Sequence, residues 1–413
     1  MASRRKVITG VAGVAAGSAL AGCTSSAGAS PTAKWAEPGS SFQPSGQSTA
    51  PVTVTFTPAA DAANVSPVDP VVVTVADGTL KSVTVAAGGN QIAGAIDPDG
   101  HTWRSTGPLG YAQTYTVTAT VADGAGATSD KTATFSTVKP TNTAAVTFQA
   151  NSLAVLKTGG TYGVGQLVVL RFSRAVNDKA AAEKAVTLDV APDVPVRYYW
   201  LDKQTLHVRP EKYWAAGTKI SVKVNLLGVN LGNGTYGVAN ASTNFTIGDS
   251  RVAVVDTNTH RMLVYINGQQ VKDFPISAGK GGTTTAADGH TVDFWTRSGP
   301  HVVLEKLPTV EMTSASYGVT NPKDPNFYDE KVQLCLRISY SGEYTHSADW
   351  NIPDHGRRNV SHGCVNMDPA HAQWLYSTFG IGDVVDIRNT PKPLEIWNGL
   401  GDWTVPFGQY GHG

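Results

Sequence analysis

The feature that most constrains this chain is strict alternation of apolar and polar residues in short runs broken by Asp-Gly turns. Val52-Thr-Val-Thr-Phe56, Val71-Val-Val-Thr-Val75, Lys81-Ser-Val-Thr-Val85 and Thr114-Tyr-Thr-Val-Thr-Ala-Thr-Val121 all carry it. Asp77-Gly78, Asp99-Gly100 and Asp123-Gly124 fall between them. A period of two places one set of side chains on one face of a strand, and β-branched residues fit that pleated surface. Short strands at this spacing predict a β-sandwich over residues 51–138. Val138-Lys-Pro-Thr-Asn142 reads as a hinge, and Val146-Thr-Phe148 opens a second sandwich over 143–248. A weak repeat supports the pairing: Trp103 precedes Pro108-x-x-Tyr111, and His207 precedes Pro210-x-x-Tyr213. These two immunoglobulin-like modules lack paired cysteines and carry no catalytic cluster, so they read as spacers.

The texture changes at Arg251. Val252-Ala-Val-Val-Asp256 and Arg261-Met-Leu-Val-Tyr265 predict two strands with a turn, and residues up to 305 are mostly strand. Asp368 is a helix N-cap with Pro369 at the first position and Gly380 as the stop. Asp383-Val-Val-Asp-Ile387 closes a β-rich domain over 250–388 with one or two short helices. The tail, 389–413, holds Trp397, Trp403, Phe407 and Tyr410, and is expected to pack on that domain. The fold class is therefore mainly β. At 413 residues the chain has room for several domains, and its formal net charge of zero gives no support to nucleic-acid binding.

The N-terminus reads as an export signal. Arg4, Arg5 and Lys6 precede the apolar run Val7 to Ala21, which is too short for a good membrane span. The Arg4-Arg5 pair resembles a twin-arginine signal, although ordinary secretory signals also carry two arginines. Leu20-Ala21-Gly22-Cys23 resembles a bacterial lipobox, which implies cleavage at residue 22 and a lipid on Cys23. Residues 23–50 are rich in Ser, Ala, Pro and Gly and read as a flexible tether. The expected location is the outer face of the cell membrane, with the folded part in the wall.

Chemistry concentrates in Glu343-Tyr-Thr-His346-Ser347-Ala-Asp-Trp350 and Ser361-His362-Gly363-Cys364-Val-Asn366. A cysteine attacks carbonyls as thiolate, and a nearby imidazole can take its proton and later return it to a leaving amine. Gly363 permits a sharp turn under the nucleophile, and consecutive backbone N–H groups there can face an oxyanion. Residues alone support a Cys/His acyl transferase. Cys335, in the alternating Val332-Gln-Leu-Cys-Leu-Arg-Ile338, reads as a buried strand thiol. His355 with Asp354, His346 and Cys364 lacks any compact ligand pair, so no metal and no cofactor are expected.

His346, fourteen intervening residues and then Ser361-His-Gly-Cys-Val-Asn366 resemble the signature of L,D-transpeptidases of the YkuD type. Ser341-Gly-Glu-Tyr-Thr-His-Ser347, Ser277-Ala-Gly-Lys280 and Gly382-Asp-Val-Val385 are similar to family sequence as well. The resemblance covers about 250–390, and the whole layout resembles actinobacterial lipoprotein members. It implies that Cys364 attacks the amide after the third residue of a peptidoglycan stem peptide and releases D-alanine. His346 would be general base and then acid, oriented by the Ser347 carbonyl. The N–H groups of Gly363 and Cys364 would form the oxyanion hole. A second stem, the acceptor, would attack the acyl-enzyme to give a 3→3 link. Tyr317, Tyr328 and Met312 match a lid beside the donor pocket, and Ser361, His362 and Asn366 would shape the site or contact substrate. The resemblance also implies covalent inhibition by carbapenem β-lactams. Many family members carry Thr-Pro-x-Gly before the lid, where this chain has Thr296-Arg-Ser-Gly299. An L,D-carboxypeptidase of the same chemistry and a non-catalytic wall-binding lipoprotein are the alternatives.

Overall fold

The computed structural model describes residues 51–286 and 288–411. The signal-like segment, Cys23 and the tether lie outside the described residues. No described helix is long and apolar enough to cross a membrane.

The first module is two packed sheets. Thr53–Thr57, Val72–Ala76, Thr102–Ser105 and Gly94–Ile96 form one. Ala62–Val65, Thr128–Thr137, Thr114–Ala122, Thr79–Ala87 and Asn90–Gln91 form the other. The inward residues of the alternating runs, Val73, Val85, Val117, Ala119 and Val121, are buried with Trp103 and Phe135.

The second module repeats the plan with five strands against four. Its one helix, α1 (Lys179–Lys184), starts where the Asp178 carboxylate accepts from the Ala181 N–H. Tyr111 of the first module fastens the two together: its hydroxyl donates to Gly237 O (2.6 Å) and accepts from Gly228 N–H (3.0 Å). One strand of module 2, Thr205–Pro210, is buried along its whole length. Leu206 and Val208 face the sandwich core, while His207 and Arg209, on the opposite face of the strand, are also covered.

Beside a two-stranded hairpin of Thr283–Thr285 and Thr291–Asp293, the third domain, which carries the His346 and Cys364 segments, is a nine-stranded sheet. We number its strands β1 (Arg251–Asp256), β2 (Arg261–Ile266), β3 (Gln269–Ser277), β4 (Gly299–Val302), β5 (Glu305–Thr313), β6 (Asp329–Arg337), β7 (Tyr344–Ser347), β8 (Val365–Met367) and β9 (Val384–Arg388). Their spatial order is β4-β9-β1-β2-β3-β8-β7-β6-β5. Helix α2 (Pro369–Thr378) follows β8 and buries Ala372 and Leu375 against the sheet. The Asp368 side chain caps it on the Ala370 N–H.

The tail divides in two. Residues 392–400 run along the catalytic domain, where the Ser298 N–H donates to Lys392 O, the Leu394 N–H donates to Ser298 O and Leu400 packs on Val302 and Leu304. Residues 401–404 pack on β4, where the Thr404 methyl lies against Gly299, and residues 402–410 also cover module 2, so the tail reaches beyond the catalytic domain on which it is expected to pack. The reason is the outward face of Thr205–Pro210. His207 Nδ1 meets the Asp402 carboxylate at 2.9 Å, and the Tyr410 hydroxyl donates to the same carboxylate at 2.7 Å. The Arg209 guanidinium sits over the rings of Trp403, Phe407 and Tyr410. Trp403 Nε1 donates to Gly165 O (2.8 Å), and a Cβ on Gly163 would fall 2.1 Å from Asp383 N. Module 2 and the catalytic domain thus meet at backbone contact distance. Trp397 takes no part and is 57% exposed.

Candidate active site

Strand pairing brings the two segments of the motif together. β7 and β8 run parallel with Thr345 opposite Val365 and His346 opposite Asn366. Cys364 stands one residue before β8. Side chains two apart on a strand share a face, so Cys364, Asn366 and His346 project to the same side. They line a cavity of about 870 Å³ together with Tyr317, Tyr328 and Met312. Ser361, His362 and Gly363 line it too, whereas Ser347 stands behind His346.

The imidazole of His346 is oriented by one bond. Its Nδ1–H donates to the Ser347 carbonyl at 2.8 Å, which can only accept. That assignment leaves Nε2 as the acceptor. Burial pulls the ring down to about 4, partly opposed by the Ser347 carbonyl. Trp350 lies near-parallel to the ring with centroids 6.0 Å apart.

The Cys364 thiol donates to the Gly342 carbonyl at 3.8 Å. Burial pushes it up to about 12, against a lowering by the Tyr344 backbone N–H and with a further rise from Glu343. Thiol and imidazole are therefore both neutral at rest. In this environment the proton leaves sulfur only as a base takes it.

Gly363 has φ +138°, a backbone region that side-chain-bearing residues avoid. Its N–H donates to Ser361 Oγ (3.1 Å), and the Ser361 hydroxyl donates to Cys364 O (2.6 Å). The Gly363 N–H thus shapes the turn that presents Cys364. Asn366 Oδ1 is buried without a partner among the described residues.

His362 is not free to act as a base. Lys280 Nζ donates to its Nε2 at 3.0 Å and to Asn326 Oδ1 at 3.0 Å. Phe294 and Tyr328 pack on its ring, with centroids 4.9 and 4.8 Å away. Burial and then the Lys280 charge lower it to about 4. Tyr317 and Tyr328 meet across the lid at 6.1 Å, and the Tyr317 hydroxyl donates to Asn326 O.

His355 Nε2 pairs with Asn351 Oδ1 at 3.0 Å. Among the described residues no group of three His, Cys, Asp or Glu side chains is placed to hold a metal. Cys335 is buried in β6, and burial pushes its thiol up to about 12.

Sequence reasoning missed Gly342, Lys280, Phe294 and Glu343. Glu343 offered a signal: a carboxylate inside an otherwise neutral run, two residues before a strand core. Lys280 offered none, because its role depends on a loop 46 residues away.

Residues 250–387 match the family of L,D-transpeptidase catalytic domains, and residues 62–230 match a bacterial Ig domain. Over 343 residues the chain is 39% identical to L,D-transpeptidase 2 of Mycobacterium tuberculosis, covering 83% of this chain and 79% of that one. It is 31% identical over 358 residues to L,D-transpeptidase 5 of the same species, covering 85% and 74%. A solved L,D-transpeptidase in complex with imipenem is 26% identical and covers 59% of this chain and 99% of that one, with a TM-score of 0.47. On its catalytic sheet, its tandem sandwiches and these relatives, the chain belongs to the L,D-transpeptidase family.

Proposed function

We propose that the protein forms 3→3 cross-links in peptidoglycan through an acyl-enzyme on Cys364. The observation that carries this reading is the β7–β8 pairing, which sets His346 and Cys364 on one wall of a single cavity. Cys364 Sγ attacks the carbonyl carbon of the third stem residue as its proton passes to His346 Nε2. The C–N bond to D-alanine breaks, and the departing amine takes that proton. A thioester remains. The side-chain amine of an acceptor stem then attacks it, His346 takes the amine's proton, and the C–S bond breaks as sulfur regains a proton. A thiol at about 12 beside an imidazole at about 4 favours this concerted transfer over a standing ion pair. The Cys364 N–H is the backbone donor offered to the oxyanion. The aromatic lid formed by Tyr317 and Tyr328 and the side chain of Met312 border the donor peptide, and Ser361, His362 and Asn366 hold the wall beside it.

The same thiol opens strained β-lactams: sulfur adds to the ring carbonyl, the ring C–N bond breaks and nitrogen takes the proton. Carbapenems are the expected covalent inhibitors. The positive n-region, the apolar run and Leu20-Ala21-Gly22-Cys23 support export and a lipid anchor on Cys23, with the folded part in the wall space.

The deciding experiment incubates the protein with a disaccharide-tetrapeptide carrying meso-diaminopimelate and reads products by mass spectrometry beside Cys364→Ala. A dimer lacking one alanine, formed by wild type only, supports the proposal. Tripeptide without dimer moves the reading to an L,D-carboxypeptidase, and turnover that survives in Cys364→Ala overturns Cys364 as nucleophile. Cys23→Ser that still partitions into detergent phase would remove the lipid anchor.

A further inference from the structure

The Cys364 thiol is held by a carbonyl in a turn, Ser339–Glu343, and that turn has an unusual anchor. Glu343 is only 7% exposed, and its carboxylate reaches away from solvent. Its Oε1 accepts from the Arg297 backbone N–H at 2.6 Å. Its Oε2 lies 3.6 Å from His301 Nε2, and neither atom has a hydrogen-bond partner among the described residues. His301 is fully buried and its Nδ1–H donates to Gly299 O at 2.9 Å. In a neutral ring with that tautomer, Nε2 would turn a lone pair toward a carboxylate oxygen. Two buried acceptors facing one another are unfavourable, and a proton on Nε2 converts them into an ion pair.

The other contacts of the turn are ordinary. The Glu343 N–H donates to Ser339 Oγ (3.0 Å), the Ile338 N–H donates to Glu343 O (2.9 Å), and the Ser341 N–H donates to Asn398 Oδ1 (2.8 Å). The Arg337 guanidinium donates to Ser339 O and Tyr340 O (3.1 Å each) and Asn398 Nδ2 donates to Ser341 Oγ (2.9 Å), but among the described residues the Glu343 side chain alone ties the turn to β4 and the strand entry before it.

Position 297 supplies the anchor's donor through its backbone alone. The Arg297 guanidinium is occupied elsewhere, 3.3 Å from Asp293 and 3.6 Å from Glu395. A proline at this position would have no N–H to give.

We infer that Glu343 is a positioning residue for the Cys364 thiol: clamped between the Arg297 N–H and His301, it fixes the turn whose Gly342 carbonyl takes the thiol's hydrogen bond. The inference rests on Cys364 as nucleophile. Glu343 touches no reacting atom, so its loss disturbs the aim of the thiol more than the binding of substrate. A misaimed nucleophile loses rate steeply with displacement.

The test uses the full chain in four variants: Glu343→Leu, Glu343→Gln, Arg297→Pro, and Arg297→Pro with Glu343→Leu. Two readouts apply, steady-state transpeptidation and the rate of iodoacetamide alkylation at Cys364 by intact mass. Glu343→Leu lowers kcat by about tenfold with KM within about twofold. Glu343→Gln recovers most of that loss, because its amide oxygen still accepts from Arg297 N–H and its NH₂ donates to a neutral His301. Arg297→Pro slows the wild type but adds nothing to Glu343→Leu, since both remove one clamp. Equal losses in the Leu and Gln variants, or losses that multiply in the double variant, overturn the inference. If Glu343→Leu does not fold, the Gln variant and Arg297→Pro still decide it. Alkylation of Cys364 needs no turnover, so failure of the nucleophile assignment is read separately from failure of the clamp.

Discussion

Two buried polar clusters in this molecule are built on opposite terms. In the catalytic cavity, His346, His362 and Cys364 are all driven toward their neutral forms by burial, and Asn366 Oδ1 has no partner among the described residues. At the tail joint, Asp402 is fully buried yet accepts from both His207 and Tyr410, while Arg209 gives three carbonyl bonds and lies over three rings, with its Nε alone left without a partner among the described residues. Unspent hydrogen-bonding capacity at the reacting groups suits a surface that must take up a substrate. Nearly complete pairing suits a surface that must hold two domains together. The difference teaches that burial of charge alone does not mark a site; the incompleteness of its partners does.

The comparison is broken most directly by removing the nucleophile. Cys364→Ala should lower transpeptidation at least about a thousandfold, roughly 4 kcal/mol of barrier, while thermal stability moves by less than about 1 kcal/mol. A large fall in melting temperature would mean the cavity is a structural element as well. Asp402→Ala should do the reverse. It leaves His207, Tyr410 and Arg209 without their shared carboxylate and should lose about 3 kcal/mol in urea unfolding, with acylation of the folded protein at 25 °C little changed. Loss of activity without loss of stability would place the joint in the catalytic machinery.

Acid separates the clusters next. His346 titrates at about 4 when folded against 6.5 when free, so between those values the unfolded chain binds more protons. Its contribution is complete above pH 6.5, falls by about 1.4 kcal/mol per pH unit below that, and levels off under pH 4. His362 adds to the slope less strongly, because solvent reaches it. Stability measured from pH 7 to 4 should fall less in His346→Gln than in wild type, and an unchanged slope would refute the assignment. Cys364 behaves oppositely: alkylation should keep rising beyond pH 9, and a plateau from pH 5 to 8 would reveal a standing ion pair instead. The smallest effect belongs to Trp403→Phe, which removes the N–H bond to Gly165 O and should lose about 1 kcal/mol.

The sequence showed the parts governed by local rules. Alternating runs such as Thr114 to Val121 announced both sandwiches, because a period of two reports which face is buried whatever lies across from it. Asp368-Pro369 announced α2 because capping is a matter of adjacent residues. The His346 and Cys364 segments stood out through the motif that carries the family resemblance, and their place on one cavity wall follows from strand pairing that no spacing rule predicts. What stayed hidden depends on distant partners. His207 and Arg209 look like polar residues on the open face of a strand, and only Asp402, Trp403 and Tyr410, some 200 residues later, bury them. Gly342 carries no chemistry in its side chain, so nothing in the sequence marks its carbonyl as the thiol's partner. Arg297 read as a departure from a pattern, and its backbone N–H became meaningful only once Glu343 was seen beside it.

The split course of the tail has a consequence for how the protein is made. A chain emerges from its N-terminus, and domains tend to fold as they appear. Module 2 can therefore complete both sheets while the outward face of Thr205–Pro210 is still bare. The catalytic sheet, closed by β9, follows some 180 residues later, and the segment that joins the two comes last of all. Assembly is thus ordered in time: two finished bodies wait for Asp402 and Trp403 to arrive between them. Release of the chain ahead of residue 402 would leave the His207 and Arg209 face of module 2 without the segment that covers it.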